Sequence, residues 1–181
     1  PFVGHVTLRL ARTSAARYGS LMTMQANGLE SIIGTKLTEQ EATIATAESC
    51  SGGLIAHRIT NIAGASAYFL GGVVSYSNEA KLDLLGVNAT DLNVYGAVSE
   101  PVARQMAEGV RGRFGATWGV GVTGIAGPSG GTAEKPVGLV YVAVAGPAGT
   151  VVRRNLFGGL RESVKEQTAQ AALELLAEQL Q

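Results

Sequence analysis

Three short stretches gather hydroxyl, amine and glycine residues: Thr46-Ala47-Glu48-Ser49-Cys50-Ser51-Gly52-Gly53, Ser75-Tyr76-Ser77-Asn78-Glu79-Ala80-Lys81 and Thr123-Gly124-Ile125-Ala126-Gly127-Pro128-Ser129-Gly130-Gly131. Ser49 is a candidate nucleophile. At a strand-to-helix turn its hydroxyl projects above the sheet, and the amides that follow, from Cys50 to Gly53, open a helix without intrahelical partners. Amides of that kind stabilise a developing oxyanion or hold a phosphate. The plainer reading makes Ser49 or Ser51 an N-cap. Lys81 is a candidate base: with Ser77 or Asn78 capping, it falls in a first helical turn, where the positive end of the helix disfavours an ammonium. A lysine desolvated there has its pKa lowered, and a neutral amine accepts a proton from a serine. Glu79 offsets part of that field, and the plainer reading sends Lys81 to solvent.

Only His5 and His57 are present. His57 follows Ser49 by two helical turns, on the order of 12 Å of rise. It therefore heads away from the hydroxyl, and a Ser–Lys pair replaces the Ser–His–Asp arrangement as the expected machinery. Cys50 is the rival nucleophile. Successive residues point different ways, so both cannot address one substrate equally, and a small buried thiol is the plainer role. Two histidines and one cysteine make a zinc site unexpected; neither metal nor cofactor is required.

The Gly119-x-Gly121-x-x-Gly124 pattern matches a dinucleotide fingerprint but falls within a strand and leads into a loop, so it lacks the required context. The Gly124–Gly131 loop lacks the Gly-Lys-Ser/Thr ending of a P-loop. It retains the capacity to present amides to a phosphate or ribose, its plainer reading being a flexible surface loop. Arg161 opens the last helix and is a candidate phosphate ligand, against the plainer reading of an ion-paired arginine. Glu100, after Ser99, reads as helix capping.

Elements that alternate along the chain must position these groups. The spacing of Leu29, Ile32, Ile33 and Leu37 predicts a helix over residues 26–39. Strands are predicted over Ala42–Ala47, Leu70–Tyr76 and Thr117–Val122, and helices over Gly52–Ile62, Asn78–Leu85 and Ser99–Phe114. Val137–Ala145 and Thr150–Leu156 read as a hairpin, and Arg161–Leu180 as a closing helix with Val164, Thr168, Ala171, Leu175 and Leu176 on one face. Phe2–Leu10 reads as a weak edge strand. The order implies an α/β fold: a three-layer α/β/α domain with a mixed, mostly parallel sheet. Ligands of open α/β sheets bind outside the carboxyl ends of the strands, where all three polar stretches begin.

The 181 residues suffice for one domain. Apolar residues make up 46% and charged ones 15%, which excludes disorder. Lys plus Arg equals Asp plus Glu at 14 each, which argues against a nucleic-acid partner. No apolar run approaches the roughly 20 residues that span a bilayer. The single cysteine suits a reducing compartment, and no signal-peptide pattern opens the chain. A cytoplasmic protein without a membrane partner is expected, and association into a homo-oligomer.

Four strings, TAESCSGG (46–53), SYSNEAK (75–81), GAVSEPVA (96–103) and TGIAGPSGGTAEKPVG (123–138), together resemble the CinA C-terminal domain family, also called PncC-type nicotinamide mononucleotide deamidases. The resemblance covers residues 27–181 in order and leaves residues 1–26 as an unassigned appendage, read as a remnant of the segment preceding this domain in longer CinA proteins. It implies hydrolysis of the amide of nicotinamide mononucleotide, with Ser49 as nucleophile, Lys81 as base and Tyr76 assisting position or proton transfer. Assigning Cys50, Ser51, Gly52, Gly53, Thr123, Gly124, Ile125, Ala126, Gly127 and Arg161 to a small nucleotide substrate extends that implication. The alternative is a non-catalytic nucleotide-binding or regulatory domain with the same cleft.

Overall fold

Ile44-Ala45-Thr46-Ala47-Glu48, five consecutive buried residues, form β1, and burial on both faces is what a central parallel strand requires. The structure, a computed structural model, describes residues 28–181. His5, the expected edge strand Phe2–Leu10 and the residue 1–26 appendage lie outside the described residues. Around β1 the described residues build a five-stranded sheet in the order β2-β1-β3-β4-β5, with β2 at Phe69–Val74, β3 at Trp118–Gly124, β4 at Leu139–Gly146 and β5 at Gly149–Leu156. β1 pairs parallel with β2 and β3, and β4 pairs antiparallel with both neighbours. Four strands therefore point one way and β4 alone runs against them: a mixed α/β sheet, as the alternating pattern predicts.

Helices cover both faces. On one lie α1 (Leu29–Glu39), α2 (Leu54–Thr60) and α6 (Arg161–Gln179); on the other α3 (Asn78–Leu85), α4 (Ala89–Tyr95) and α5 (Glu100–Phe114). The five α6 residues expected on one face are all buried. Leu173, Leu175 and Leu176 pack with Ile33, Leu37, Ile44 and Val142, and each buried leucine contributes about 1.5–3 kcal/mol. Arg58 of α2 bonds Glu30 of α1 at 2.6 Å, clamping the shorter helix.

The structure departs from the predicted elements in three places. Helix α4 has no counterpart among them, although Asn88 caps it by accepting the Thr90 amide at 2.7 Å; seven residues are too few to display a clear period. Ser99 precedes α5, but its hydroxyl donates to the Gly96 carbonyl at 2.8 Å instead of capping. The helix after Ser49 begins at Leu54 rather than Gly52, because Gly52 and Gly53 adopt positive φ.

The Gly119 and Gly121 signature is a packing device. A Cβ at Gly121 would lie 2.5 Å from the Ala107 amide nitrogen and 2.7 Å from the Ala103 carbonyl oxygen, both α5 backbone. Only glycine lets α5 approach β3 this closely. Gly121→Ala is expected to destabilise the domain by about 1–3 kcal/mol through overpacking, read as a lower urea midpoint at an unchanged m value.

Candidate active site

In β1, alternate side chains leave opposite faces of the sheet. Ala45 and Ala47 join the core beneath α5, whereas Ile44 packs on the α1–α6 side. Parallel pairing sets Glu48 level with Val74 of β2 and Val122 of β3, so three strands run out together. The loops that follow are the three polar stretches, and they meet at this one edge.

Ser77 is the N-cap of α3 and accepts the Ala80 amide at 3.1 Å. Lys81, the fourth residue of that helix, is turned inward and only 1% exposed. Its Nζ donates to the carbonyls of Ser75 at 2.7 Å and Ser77 at 3.4 Å, and meets Ser49 Oγ at 3.2 Å. Burial lowers its pKa from the ordinary value of 10.5, and a Cys50 thiolate would raise it. Burial, however, pushes the Cys50 thiol up to about 11, so below that pH the thiol is neutral and burial acts on Lys81 alone. A neutral amine has two N–H bonds and one lone pair. With the N–H bonds directed to the Ser75 and Ser77 carbonyls, the lone pair is left facing Ser49 Oγ. That is the geometry of a general base beside a nucleophile.

Ser49 and Lys81 open onto a cavity of about 270 Å³, lined also by Cys50, Tyr76, Asn78, Ala97, Val98, Thr123, Gly124, Ile125, Ala126, Gly127, Ser129, Gly130 and Arg161. The volume is close to the lower end for small-molecule sites, about 300 Å³. Arg161 reaches in from the start of α6, donating to the Gly127 carbonyl at 2.8 Å and to the Tyr76 hydroxyl at 2.7 Å. Tyr76 therefore bonds Arg161 rather than either member of the Ser–Lys pair. Thr123 donates to the Ala97 carbonyl at 2.8 Å, pinning the β3 terminus to the wall after α4. The Ile125 amide bonds the Leu139 carbonyl at 2.9 Å, so the glycine-rich loop offers fewer free amides than its composition suggests.

Cys50 borders the cavity but is 5% exposed and belongs to the α6-side core. Its raised pKa makes it a poor nucleophile at neutral pH. His57 is exposed on α2, within 3.3 Å of Asn61, and faces a different groove. That groove, between α2 and α6, is larger at about 670 Å³, yet no candidate nucleophile–base pair lines it.

Ser51, Gly52 and Gly53, expected to hold the nucleotide, do not line the cavity. Ser51 is fully buried and donates to Glu48 at 2.7 Å, and the Gly53 amide bonds the same carboxylate at 2.9 Å. The Gly52 amide is turned back to the Ser49 carbonyl at 3.2 Å. A buried carboxylate thus occupies the helix end that the sequence reads as a place for an oxyanion or a phosphate. Sequence reasoning missed Glu48 as well as Asn78, Ala97 and Val98 of the cavity wall. An acid at the last strand position before a helix with orphan amides was the available signal for Glu48.

A family model, the CinA C-terminal domain, matches residues 26–180. A CinA-like protein of Acaryochloris marina is 51% identical over 154 residues, covering 84% of this chain and 37% of the relative. A second, from Anaeromyxobacter dehalogenans strain 2CP-C, is 53% identical over 148 residues, covering 82% and 36%. The chain thus spans a little over a third of the curated relatives it matches. The crystal structure of the competence/damage inducible protein CihA from Agrobacterium tumefaciens superposes with a TM-score of 0.82 at 44% identity, over 84% of this chain and 96% of that one.

Proposed function

Because this chain belongs to the CinA C-terminal domain family, we propose that it is an amidohydrolase converting nicotinamide mononucleotide to nicotinic acid mononucleotide and ammonia. The observation that carries this reading is the 3.2 Å approach of buried Lys81 to Ser49 at the floor of a cleft of about 270 Å³. As Ser49 Oγ attacks the carboxamide carbon, its proton passes to Lys81 Nζ. The tetrahedral intermediate collapses, the carbon–nitrogen bond breaks and Lys81 returns the proton to the leaving amine as ammonia. Water then attacks the acyl-serine, again giving its proton to Lys81, and Ser49 departs reprotonated with the carboxylate product. The oxyanion would be stabilised at the turn after Ser49, where Cys50 lines the cavity. Arg161, held by Tyr76 and Gly127, anchors the 5′-phosphate, and this remote contact supplies positioning energy. Tyr76 acts on Arg161 and not on the proton.

The test is incubation with nicotinamide mononucleotide, reading ammonia together with the mass increase of about one dalton that accompanies replacement of the amide nitrogen by water oxygen. Binding without turnover would instead make the domain a nucleotide-binding module. Cys50→Ala is expected to retain activity within about threefold, since the thiol faces the core and packs as a small apolar group; an inactive, folded Cys50→Ala protein would move the nucleophile to Cys50.

A further inference from the structure

Among the described residues Glu48 is the one strongly buried carboxylate beside the Ser–Lys pair, 1% exposed, and the chemistry just described gives it no part. It has no cationic partner among the described ion pairs. Its carboxyl oxygens are held by four donors instead. Oε2 accepts the Ser51 hydroxyl at 2.7 Å and the amides of Gly53 at 2.9 Å and Ile55 at 3.1 Å; Oε1 accepts the Ala56 amide at 2.8 Å. Gly53 itself, the N-cap residue of α2, makes no side-chain cap. The carboxylate arrives from the preceding strand and takes that place, where the helix end favours an anion.

This clamp spans the Ser49 turn. Glu48 is anchored by its backbone, its carbonyl accepting the Ser75 amide at 2.9 Å, while the Ser49 amide bonds the Val122 carbonyl at 3.1 Å. The side chain then grips residues 51, 53, 55 and 56. Both ends of the turn are tied, and the Ser49 hydroxyl is left on the Lys81 side. We propose that Glu48 is a positioning residue, setting the Ser49–Gly53 turn so that Ser49 Oγ meets Lys81. It touches no substrate. The inference rests on the Ser49–Lys81 reading of the site, but not on the identity of the amide.

Glutamine cannot replace it. One face of its amide would present N–H bonds to the Ala56 amide or to the three donors at Oε2, opposing donor to donor. Ser51→Ala is the milder variant, since it deletes one donor and leaves the helix amides satisfied. Two readouts are taken on each folded protein: the rate at which a serine-directed fluorophosphonate labels Ser49, and kcat and KM for ammonia release. Glu48→Gln is expected to lower both labelling rate and kcat about 100-fold, and Ser51→Ala about 10-fold, with KM within threefold, because a displacement of about 1 Å costs that much in a positioned reaction. Wild-type labelling in folded Ser51→Ala and Glu48→Gln overturns the proposal. If Glu48→Gln does not fold, wild-type labelling in Ser51→Ala alone overturns it. Should the native protein label at Ser49 yet release no ammonia, the substrate assignment fails, and the labelling rates still decide the role of Glu48.

Discussion

Ser49→Ala is expected to lower ammonia release from nicotinamide mononucleotide by at least about 10³-fold, the loss typical when a nucleophile acting as a unit with its base is removed. The melting temperature should move little. Ser49 is small, its amide bond to Val122 does not involve the side chain, and the deleted hydroxyl leaves Lys81 with its two carbonyl partners. Nucleotide binding should persist, since Arg161 and the Gly127 loop are untouched. The measurement is a single-turnover ammonia assay beside calorimetric titration with the nucleotide. Full turnover in a folded Ser49→Ala protein would remove covalent catalysis from this cleft.

Lys81→Met should reduce kcat/KM by about 10²–10⁴-fold, the usual contribution of a positioned base, while filling the same buried volume. Its pH dependence is the sharper diagnostic. Only the neutral amine accepts the Ser49 proton, so native kcat/KM should rise with pH and level off at an inflection below the ordinary lysine value of 10.5, because burial lowers the pKa. Lys81→Met should lose that limb. The same shift has a stability counterpart. Between the lowered folded pKa and 10.5 the unfolded chain binds the extra proton, so native stability gains with rising pH across that window. Below the window the cost of burying the ammonium is present in full. The melting temperature of the native protein should therefore climb relative to Lys81→Met as the pH passes through it. A parallel pair of melting curves, or an inflection at or above 10.5, would refute a desolvated base.

Much of this protein was written locally. Strand and helix periods located all five strands and five of the six described helices, since buried strands are short apolar runs and α5 and α6 are long enough to show a face. The three polar stretches and the Ser49–Lys81 pairing followed from where those elements end and from the scarcity of histidine. What the linear order left open was set by the folded arrangement of the elements. The direction of β4 and the brief helix α4 depend on pairing and packing partners, not on their own residues. The Gly53 amide reads as free in the sequence because its acceptor, the Glu48 carboxylate, belongs to the preceding strand, and only the folded turn brings the two together. Tyr76 and Arg161, 85 positions apart, meet for the same reason. Periodicity records which face of a segment is buried; it carries no record of which donor finds which acceptor, and that choice is made only when the layers close and each buried polar group must be satisfied.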